Sequence, residues 1–166
     1  MKSACRGVAY SQGRLVVTFV DNPRLEIIDL LGTVIRRIED ASDGSKLFEW
    51  PGYVCVGKDG GTIYVSDVNR DTVTSLTFDG VVKSIYKHKK LRRPQKVCTD
   101  HHGNVYACGW DSCNVHMMTA DCEKIKVILT QANGLDSGVY SVSHCQDTNR
   151  LFIGTASKKV KVYQLS

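Results

Sequence analysis

The sequence predicts an all-β fold built from four repeats of about 45 residues. A short motif, in which Gly or Asn is followed by an apolar run, recurs with first apolar residues Leu15, Ile63, Val105 and Leu151. The steps between these residues are 48, 42 and 46 positions. A second apolar residue follows each of them at 9 or 10 positions, at Leu25, Val73, Val115 and Val160. No segment has sustained helical periodicity, and a regular period of this length indicates a repeat architecture.

The second repeat contains four short apolar runs separated by turns. The runs cover residues 53–56, 63–66, 73–78 and 81–86, and they are rich in β-branched and aromatic side chains. Asp79 and Gly80 separate the last two runs. An Asp-Gly pair between apolar runs is a strong hairpin signal, because Gly accepts positive φ without steric cost. Each repeat is therefore expected to be a small antiparallel sheet.

Both faces of these strands carry apolar residues. Ile63 and Val65 point to one side of their strand, whereas Tyr64 points to the other. Neighbouring repeats must cover both faces, which is the arrangement of a β-propeller. A sandwich would leave one face polar and would not need the internal period. We therefore expect one domain over 1–166, with blades at about 6–46, 50–92, 94–134 and 137–166.

The fourth repeat has only three strand-like runs before residue 166. The expected fold is thus a partial propeller of about four blades, with the last blade lacking its fourth strand. An end blade without a neighbour exposes an apolar face. We expect self-association, or pairing with missing blades, to cover these faces.

The second and third repeats resemble the NHL repeat of six-bladed propellers. The matching residues in the second repeat are Pro51, Gly52, residues 53–56 and 61–67, Asn69, Arg70, Val73 and Gly80. Those in the third repeat are Pro94, Val97, Asp100, residues 103–106, Asn114 and Val115. The chain as a whole is similar to the carboxyl-terminal region of TRIM-NHL proteins, and the fold is expected to be of NHL type.

In the TRIM-NHL family the propeller binds RNA or protein targets, and a separate RING domain acts as a ubiquitin ligase. The resemblance therefore implies a non-catalytic binding module, serving as the substrate-recognition part of such a ligase. The 166 residues contain no RING segment, so ligase chemistry is not expected in them. The alternative is a propeller hydrolase or lyase of the lactonase or peptidylglycine-lyase kind. Such a site needs carboxylates or imidazoles converging from several blades, and the expected inner strands do not supply them.

A basic segment between the second and third repeats is the strongest candidate site. Residues 87–96 hold six Lys and Arg and no acid, and the remaining 16 basic and 17 acidic residues nearly balance in a chain of net charge +5. Propeller topology places the loops after each second strand at the same end. The predicted binding residues are Lys89, Lys90, Arg92, Arg93, Arg70, Trp110, Lys158 and Lys159.

Basic side chains beside an aromatic ring suit single-stranded RNA, because phosphates pair with Lys and Arg while bases stack on Trp. An acidic protein surface is the second candidate partner. A solvated loop that limits aggregation is the third interpretation, and it requires no partner.

No cofactor or metal site is predicted. His101 and His102 are adjacent in a turn and are expected to point apart. The seven cysteines include no Cys-x-x-Cys pair, which favours reduced thiols in a cytoplasmic protein over a zinc site. No stretch is long and apolar enough for a membrane span, so no membrane partner is expected.

Overall fold

The computed structural model describes residues 4–123 and 125–165, which form four antiparallel sheets. Blade 1 contains β1 (Cys5–Ser11), β2 (Arg14–Phe19), β3 (Arg24–Asp29) and β4 (Val34–Ile38). Blade 2 contains β5 (Pro51–Val56), β6 (Thr62–Asp67), β7 (Thr72–Thr77) and β8 (Val82–Lys87). Blade 3 contains β9 (Pro94–Thr99), β10 (Val105–Gly109), β11 (Asn114–Met118) and β12 (Ile125–Leu129). Blade 4 contains β13 (Val139–Cys145), β14 (Arg150–Thr155) and β15 (Val160–Gln164).

Each sheet is a simple meander in which consecutive strands pair. The first strands of the four sheets lie side by side, β1 against β5, β5 against β9 and β9 against β13. They are the inner strands of an arc of blades, and the predicted partial β-propeller with a three-stranded last blade is confirmed. One 3₁₀ turn, Gln131–Asn133, is the only helical element of the described residues, and none of their helices is long and apolar enough to cross a membrane.

The recurring motif has a conformational cause. Its first residue adopts positive φ in three repeats, at 75° for Gly13, 87° for Gly103 and 48° for Asn149. In the second repeat the preceding residue, Gly60, takes this conformation with φ of 66°. Gly and Asn tolerate the left-handed region best, so the first turn of each blade selects them.

Three apolar cores fill the spaces between the four blades. Leu25 and Ile63 meet between blades 1 and 2, and Val73 and Val105 meet between blades 2 and 3. Val115 and Leu151 complete the series between blades 3 and 4. The periodic apolar residues of the sequence are therefore the residues that hold neighbouring blades together. The exceptions are Leu15, which is half-buried, and Val160, which is exposed.

The arc is open. Within the described residues, β1 and β13 have no contact comparable to that between neighbouring inner strands. Leu15 lies on the face of blade 1 that has no neighbour, and Val160 lies on the corresponding face of blade 4. The two exceptions to the core pattern therefore mark the two ends of the arc.

Candidate ligand-binding site at the channel mouth

One backbone hydrogen bond recurs at the start of every inner strand. The residue just after the second strand of each blade donates its N–H to the carbonyl of the residue just before the first strand, over 2.9–3.2 Å. The four donor–acceptor pairs are Val20–Ala4, Val68–Trp50, Trp110–Arg93 and Ala156–Gly138. Because only backbone atoms take part, the side chains at these positions are free to differ between blades.

A β-bulge follows each of these hydrogen bonds on the inner strand. The extra residue is Arg6 in β1, Gly52 in β5 and Tyr140 in β13. In β9 the register shifts between Pro94 and Val97, a segment that includes Gln95. A bulge turns a side chain away from the alternating pattern of a strand. The four bulges thus lie at the same end of the channel that the inner strands line.

Three of these positions, Arg6, Gln95 and Tyr140, line one cavity of about 460 Å³, which we call the mouth pocket. Its lining residues are Arg6, Trp50, Val68, Asn69, Arg93, Gln95, Trp110 and Tyr140. They include two arginines and three aromatic rings, and none of them is acidic. A cavity of this size lies within the range of small-ligand sites.

Trp110 and Tyr140 form the aromatic wall of the mouth pocket. Their ring centroids are 4.0 Å apart with planes inclined at 35°. Trp110 lies against Gly138, where a Cβ atom would fall 2.3 Å from Cε3 of the indole. Glycine at this position therefore makes room for the ring. Trp50 and Tyr140 are both exposed, so the aromatic surface is open to solvent.

Asp67 fixes the segment that carries Trp50. Its buried carboxylate accepts hydrogen bonds from the backbone N–H groups of Glu49 at 2.7 Å and of Trp50 at 3.1 Å. It also accepts from the N–H groups of Asn69 and Arg70, each at 3.2 Å. The carboxylate thereby ties the link before β5 to the turn after β6, and it holds two elements of the mouth pocket in one geometry.

Arg70 acts on the same link. Its guanidinium donates to the carbonyl oxygens of Leu47 and Lys46, each at 2.8 Å. Arg70 was predicted as a binding residue, and the structure places it half-buried beside the mouth pocket with these two bonds made. Its contacts are those of a residue that positions the link.

The basic segment divides into anchored and exposed parts. Leu91 is fully buried in the core between blades 2 and 3. The Arg92 guanidinium lies 3.2 Å from the Asp71 carboxylate, which also accepts from the Arg93 N–H at 2.7 Å. Lys89 and Lys90 are exposed beside this anchor. The segment is therefore held to the blades at its second half and presents its lysines to solvent at its first half.

The predicted residues separate into lining and flanking sets. Arg93 and Trp110 line the mouth pocket. Lys158 and Lys159 lie exposed on the turn between β14 and β15, where the Lys159 ammonium is 3.8 Å from Asp136. They do not line the mouth pocket, and neither do Lys89, Lys90 and Arg92.

The predicted binding residues leave out five polar or aromatic lining positions: Arg6, Trp50, Asn69, Gln95 and Tyr140. Three of them lie in the bulged segments of inner strands, one residue after the strand begins. This shared place in the repeat was the signal in the sequence that could have identified them. The signal is hard to recognise, because a regular strand is expected to alternate its side chains without a bulge.

A buried polar cluster lies beneath the basic segment. The fully buried His116 shares a hydrogen bond of 2.6 Å between its Nδ1 and the Tyr86 hydroxyl. The His88 ring is 5.4 Å from that of His116. Burial, and then the nearby His88, lower the pKa of His116 from 6.5 to about 4. Burial likewise raises the pKa of Tyr86 to about 12, so the hydrogen-bonded pair His116–Tyr86 is held in its neutral form.

The opposite end of the channel carries a group of histidines. His101 and His102 were expected to point apart, and this is wrong, because their ring centroids are 3.8 Å apart. The turn between β9 and β10 replaces the extended geometry on which that expectation depended. His144 lies 5.9 Å from His101, ring to ring. Among residues 4–123 and 125–165, no group of three or more His, Cys, Asp or Glu side chains is suited to hold a metal ion.

Comparison with known proteins supports the fold. No family model matches the chain. No curated protein matches it either. A chain of the nidogen/laminin complex is 17% identical, with a TM-score of 0.78 over 98% of this chain and 65% of that one. A catalytically inactive virginiamycin B lyase from Staphylococcus aureus, solved with quinupristin, is 14% identical, with a TM-score of 0.69 over 98% of this chain and 56% of that one. The Dos1 propeller is 12% identical, with a TM-score of 0.74 over 98% of this chain and 42% of that one.

The chain therefore has a β-propeller fold and spans about half the length of such solved propellers. The similar structures include a lyase and a chain from a protein complex. Because the identities are low, these likenesses concern the fold alone. Function has to be argued from the site.

Proposed function

We propose that the chain is a non-catalytic binding module of NHL type that recognises single-stranded RNA at the mouth pocket. The observation that carries this proposal is the composition of the lining, two arginines and three aromatic rings with no acidic side chain. Arginine pairs with phosphate oxygens, and aromatic rings stack bases without sequence preference. Within this proposal the chain is one domain over 1–166 with blades at about 6–46, 50–92, 94–134 and 137–166.

The proposed role of each group follows from its exposure and its interactions. Arg6 and Arg93 are exposed at the pocket, where a phosphate can reach them from solvent. The Arg93 guanidinium also lies 3.9 Å from the Asp111 carboxylate, with which a phosphate would compete. Trp50 and the pair Trp110–Tyr140 offer the stacking surfaces. Lys89 and Lys90 extend the positive surface along the path by which an RNA strand would leave the pocket. Arg92, Lys158 and Lys159 flank that path. Arg70 supports the site by holding the link before β5.

Preorganisation supports a binding site at this place. Asp67 orients the Trp50 segment through four backbone N–H groups, and Gly138 gives Trp110 its position. A rigid aromatic surface loses little conformational entropy when a ligand binds. A solvated loop without a partner would not need such an arrangement.

An acidic protein segment is the rival ligand, and it would make the chain the substrate-recognition part of a TRIM-NHL ubiquitin ligase. Carboxylates can pair with Arg6 and Arg93 as phosphates do. Stacking distinguishes the two ligands, because a base uses the open rings whereas a carboxylate does not. All seven cysteines are free thiols, which supports a reducing, cytoplasmic setting for either ligand.

A propeller lyase or hydrolase is the alternative activity, and one of the similar structures is a lyase. Such chemistry needs an acid or base aimed at the substrate. The mouth pocket offers arginine, tryptophan, amide and tyrosine side chains, and no imidazole or carboxylate lines it. Binding is therefore the function that this lining supports best.

Titration of labelled single-stranded RNA tests the proposal. Arg6→Glu should weaken binding and reduce the salt dependence, with the slope falling by about 0.7 for each phosphate that the protein no longer neutralises. Trp110→Ala should cost about 1–3 kcal/mol if the ring stacks a base. Lys126→Glu makes the same charge change at an exposed residue outside the pocket, and it should alter affinity far less than Arg6→Glu.

A double change, Lys89→Glu with Lys90→Glu, tests the basic segment separately. The double variant should bind RNA more weakly than the wild-type protein. Adding Trp110→Ala to it should lower the RNA affinity by the same factor as Trp110→Ala does alone. Equal affinity of the wild-type protein and the Arg6 and Trp110 variants would refute the RNA site. Binding to an acidic peptide that depends on Arg6, is insensitive to Trp110→Ala and is not displaced by RNA would favour the protein ligand.

A further inference from the structure

Two side chains with an amide group, Asn69 and Gln95, line the mouth pocket beside its arginines and aromatic rings. Gln95 is 5% exposed in the bulged segment of β9, whereas Asn69 is exposed in the turn after β6. An amide has an NH₂ group that donates hydrogen bonds and a carbonyl oxygen that accepts them. The end of the amide that is free therefore decides which groups of a ligand it recognises.

The free end of Gln95 is its oxygen. Nε2 donates to the carbonyl oxygen of Arg93 at 3.3 Å, and because a carbonyl only accepts, the nitrogen of the amide must face it. No donor among residues 4–123 and 125–165 is bonded to Oε1. The enclosed side-chain atoms without a hydrogen bond in those residues are all histidine nitrogens, so Oε1 is accessible. A polar atom on a side chain this deeply buried costs stability unless it finds a partner.

Asn69 offers the same kind of group. Its Nδ2 donates to the Glu49 carboxylate at 3.4 Å, and a carboxylate only accepts, so the amide nitrogen must face it. Within the described part of the chain, no donor is bonded to Oδ1. The backbone N–H of Asn69 donates to Asp67 at 3.2 Å, which holds the turn in place. Blades 2 and 3 therefore each present one amide oxygen, an acceptor, at the mouth pocket.

The other polar groups of the mouth pocket do not distinguish bases. A guanidinium only donates, and arginine contacts to phosphate position a strand without reading its sequence. Cζ of Arg6 lies 5.6 Å from the centre of the Tyr53 ring, a contact that uses the face of the guanidinium and leaves the N–H groups in its plane for a phosphate. The Tyr140 hydroxyl both donates and accepts, so it favours no base. The two amide oxygens are thus the base-reading groups of the lining.

The four RNA bases present different edges to a pair of acceptors. Guanine carries two adjacent donors on its Watson–Crick edge, N1–H and the N2 amino group. Adenine and cytosine each carry one amino group beside a ring nitrogen that accepts, and uracil carries one N3–H between two carbonyl oxygens. Two acceptors can therefore pair with two donors only on guanine. Any other base would bring an acceptor against an acceptor, which leaves both without a partner.

We infer that the mouth pocket selects guanine among the bases of single-stranded RNA. Oε1 of Gln95 and Oδ1 of Asn69 accept hydrogen bonds from the N1–H and N2 amino donors of the base. Trp110 stacks the same base, which adds affinity without sequence preference. This inference rests on the proposed RNA function and adds the base that the site prefers.

Decauridine probes that carry one central guanosine, adenosine, cytidine or inosine test the selection by fluorescence anisotropy. The guanosine probe should bind about 5- to 150-fold more tightly than the adenosine or cytidine probe, the discrimination typical of a well-paired base contact. Inosine keeps the N1–H of guanine and lacks the N2 amino group. It should bind about 2- to 13-fold more weakly than guanosine, because one hydrogen bond is lost.

Two variants test the assignment of the acceptors. Gln95→Met keeps the length of the buried side chain without its acceptor, and Asn69→Ala removes the other acceptor at an exposed position where folding should be unaffected. Each should reduce the ratio of guanosine-probe to adenosine-probe affinity by about 2- to 13-fold. Both probes are measured on one protein, so partial loss of folding does not change this ratio. Gln146→Met makes the same change in the exposed turn between β13 and β14, at the opposite end of the channel, and should keep the ratio.

The outcomes separate this inference from the RNA proposal. If the wild-type protein binds none of the probes, or binds them all independently of Trp110, the RNA site and its guanine selection are both overturned. If binding depends on Trp110 but is equal for the guanosine and adenosine probes, the RNA site stands and guanine selection is overturned. A guanosine preference that survives both Gln95→Met and Asn69→Ala would overturn the assignment of the two amide oxygens.

Discussion

Gly138→Ala should disturb the aromatic wall of the mouth pocket without disturbing the backbone. The φ of Gly138 is not positive, so alanine meets no conformational barrier there. Its Cβ would lie 2.3, 2.4 and 2.6 Å from three ring carbons of Trp110, whereas carbon atoms pack at about 3.5–4.0 Å. The indole must therefore move by about 1 Å or more, which disrupts its packing on Tyr140.

The effect of Gly138→Ala on the free energy of unfolding should depend on whether position 110 is tryptophan or alanine. Overpacking costs about 1–3 kcal/mol, whereas replacing glycine by alanine at a compatible φ stabilises by about 0.4–1 kcal/mol. The net loss for Gly138→Ala should be about 1 kcal/mol. In a Trp110→Ala background the clash is absent, so the same change should be neutral or stabilising.

Urea unfolding of the four proteins of this double-mutant cycle gives the measurement, with tryptophan fluorescence reporting the position of the ring. RNA affinity should fall by about 5- to 150-fold in Gly138→Ala if Trp110 stacks a base at about 1–3 kcal/mol. The same stability change in both backgrounds would refute the argument, since it would mean that the ring does not occupy the space next to Gly138.

Three further predictions concern the supports of the site. Leu91→Ala should destabilise the protein by about 2–5 kcal/mol, because the fully buried side chain anchors the basic segment; a loss below about 1 kcal/mol in urea unfolding would contradict this role. Asp67→Ala should cost about 1–3 kcal/mol by leaving backbone N–H groups without an acceptor, and it should shift Trp50 fluorescence; an unchanged spectrum would argue against the tether. His116 contributes stability that is fully present above its unfolded pKa of about 6.5 and is lost as pH falls toward its folded pKa of about 4, since the unfolded chain binds more protons there. The loss should approach about 3 kcal/mol, and His116→Gln should flatten the pH dependence of unfolding in this window; an equally steep slope in the variant would assign it to other groups.

The fold was predictable because its determinants repeat along the chain. Leu25, Val73 and Val115 are each buried between blades, so one packing requirement appears in the sequence at a regular interval. The glycines of the first turns repeat for the same reason, because each turn needs positive φ. Val160 follows the same apolar spacing although its side chain is exposed, so the three strands of the last repeat were also predicted correctly.

The candidate site was predictable only in part because it depends on local departures from the repeat. Topology alone placed Arg93 and Trp110 at one end of the arc, and both line the mouth pocket. Arg6 and Tyr140 reach it through β-bulges, which an alternating pattern of apolar and polar residues does not reveal. Arg70 was chosen for its charge, but its guanidinium is bonded to two backbone carbonyls that no sequence pattern identifies.

The same hydrogen bond at the start of each inner strand explains how a specific site can arise on a uniform scaffold. Its donors are Val20, Val68, Trp110 and Ala156, and the bond needs only their backbone N–H groups. The hydrogen bond itself therefore places no demand on these side chains, and a large ring is tolerated where the opposite residue is small. Blade 3 combines Trp110 with Gly138 of blade 4 in this way. Binding specificity should consequently reside in such paired positions around the axis, where a change alters the ligand surface while the cores between blades keep their packing.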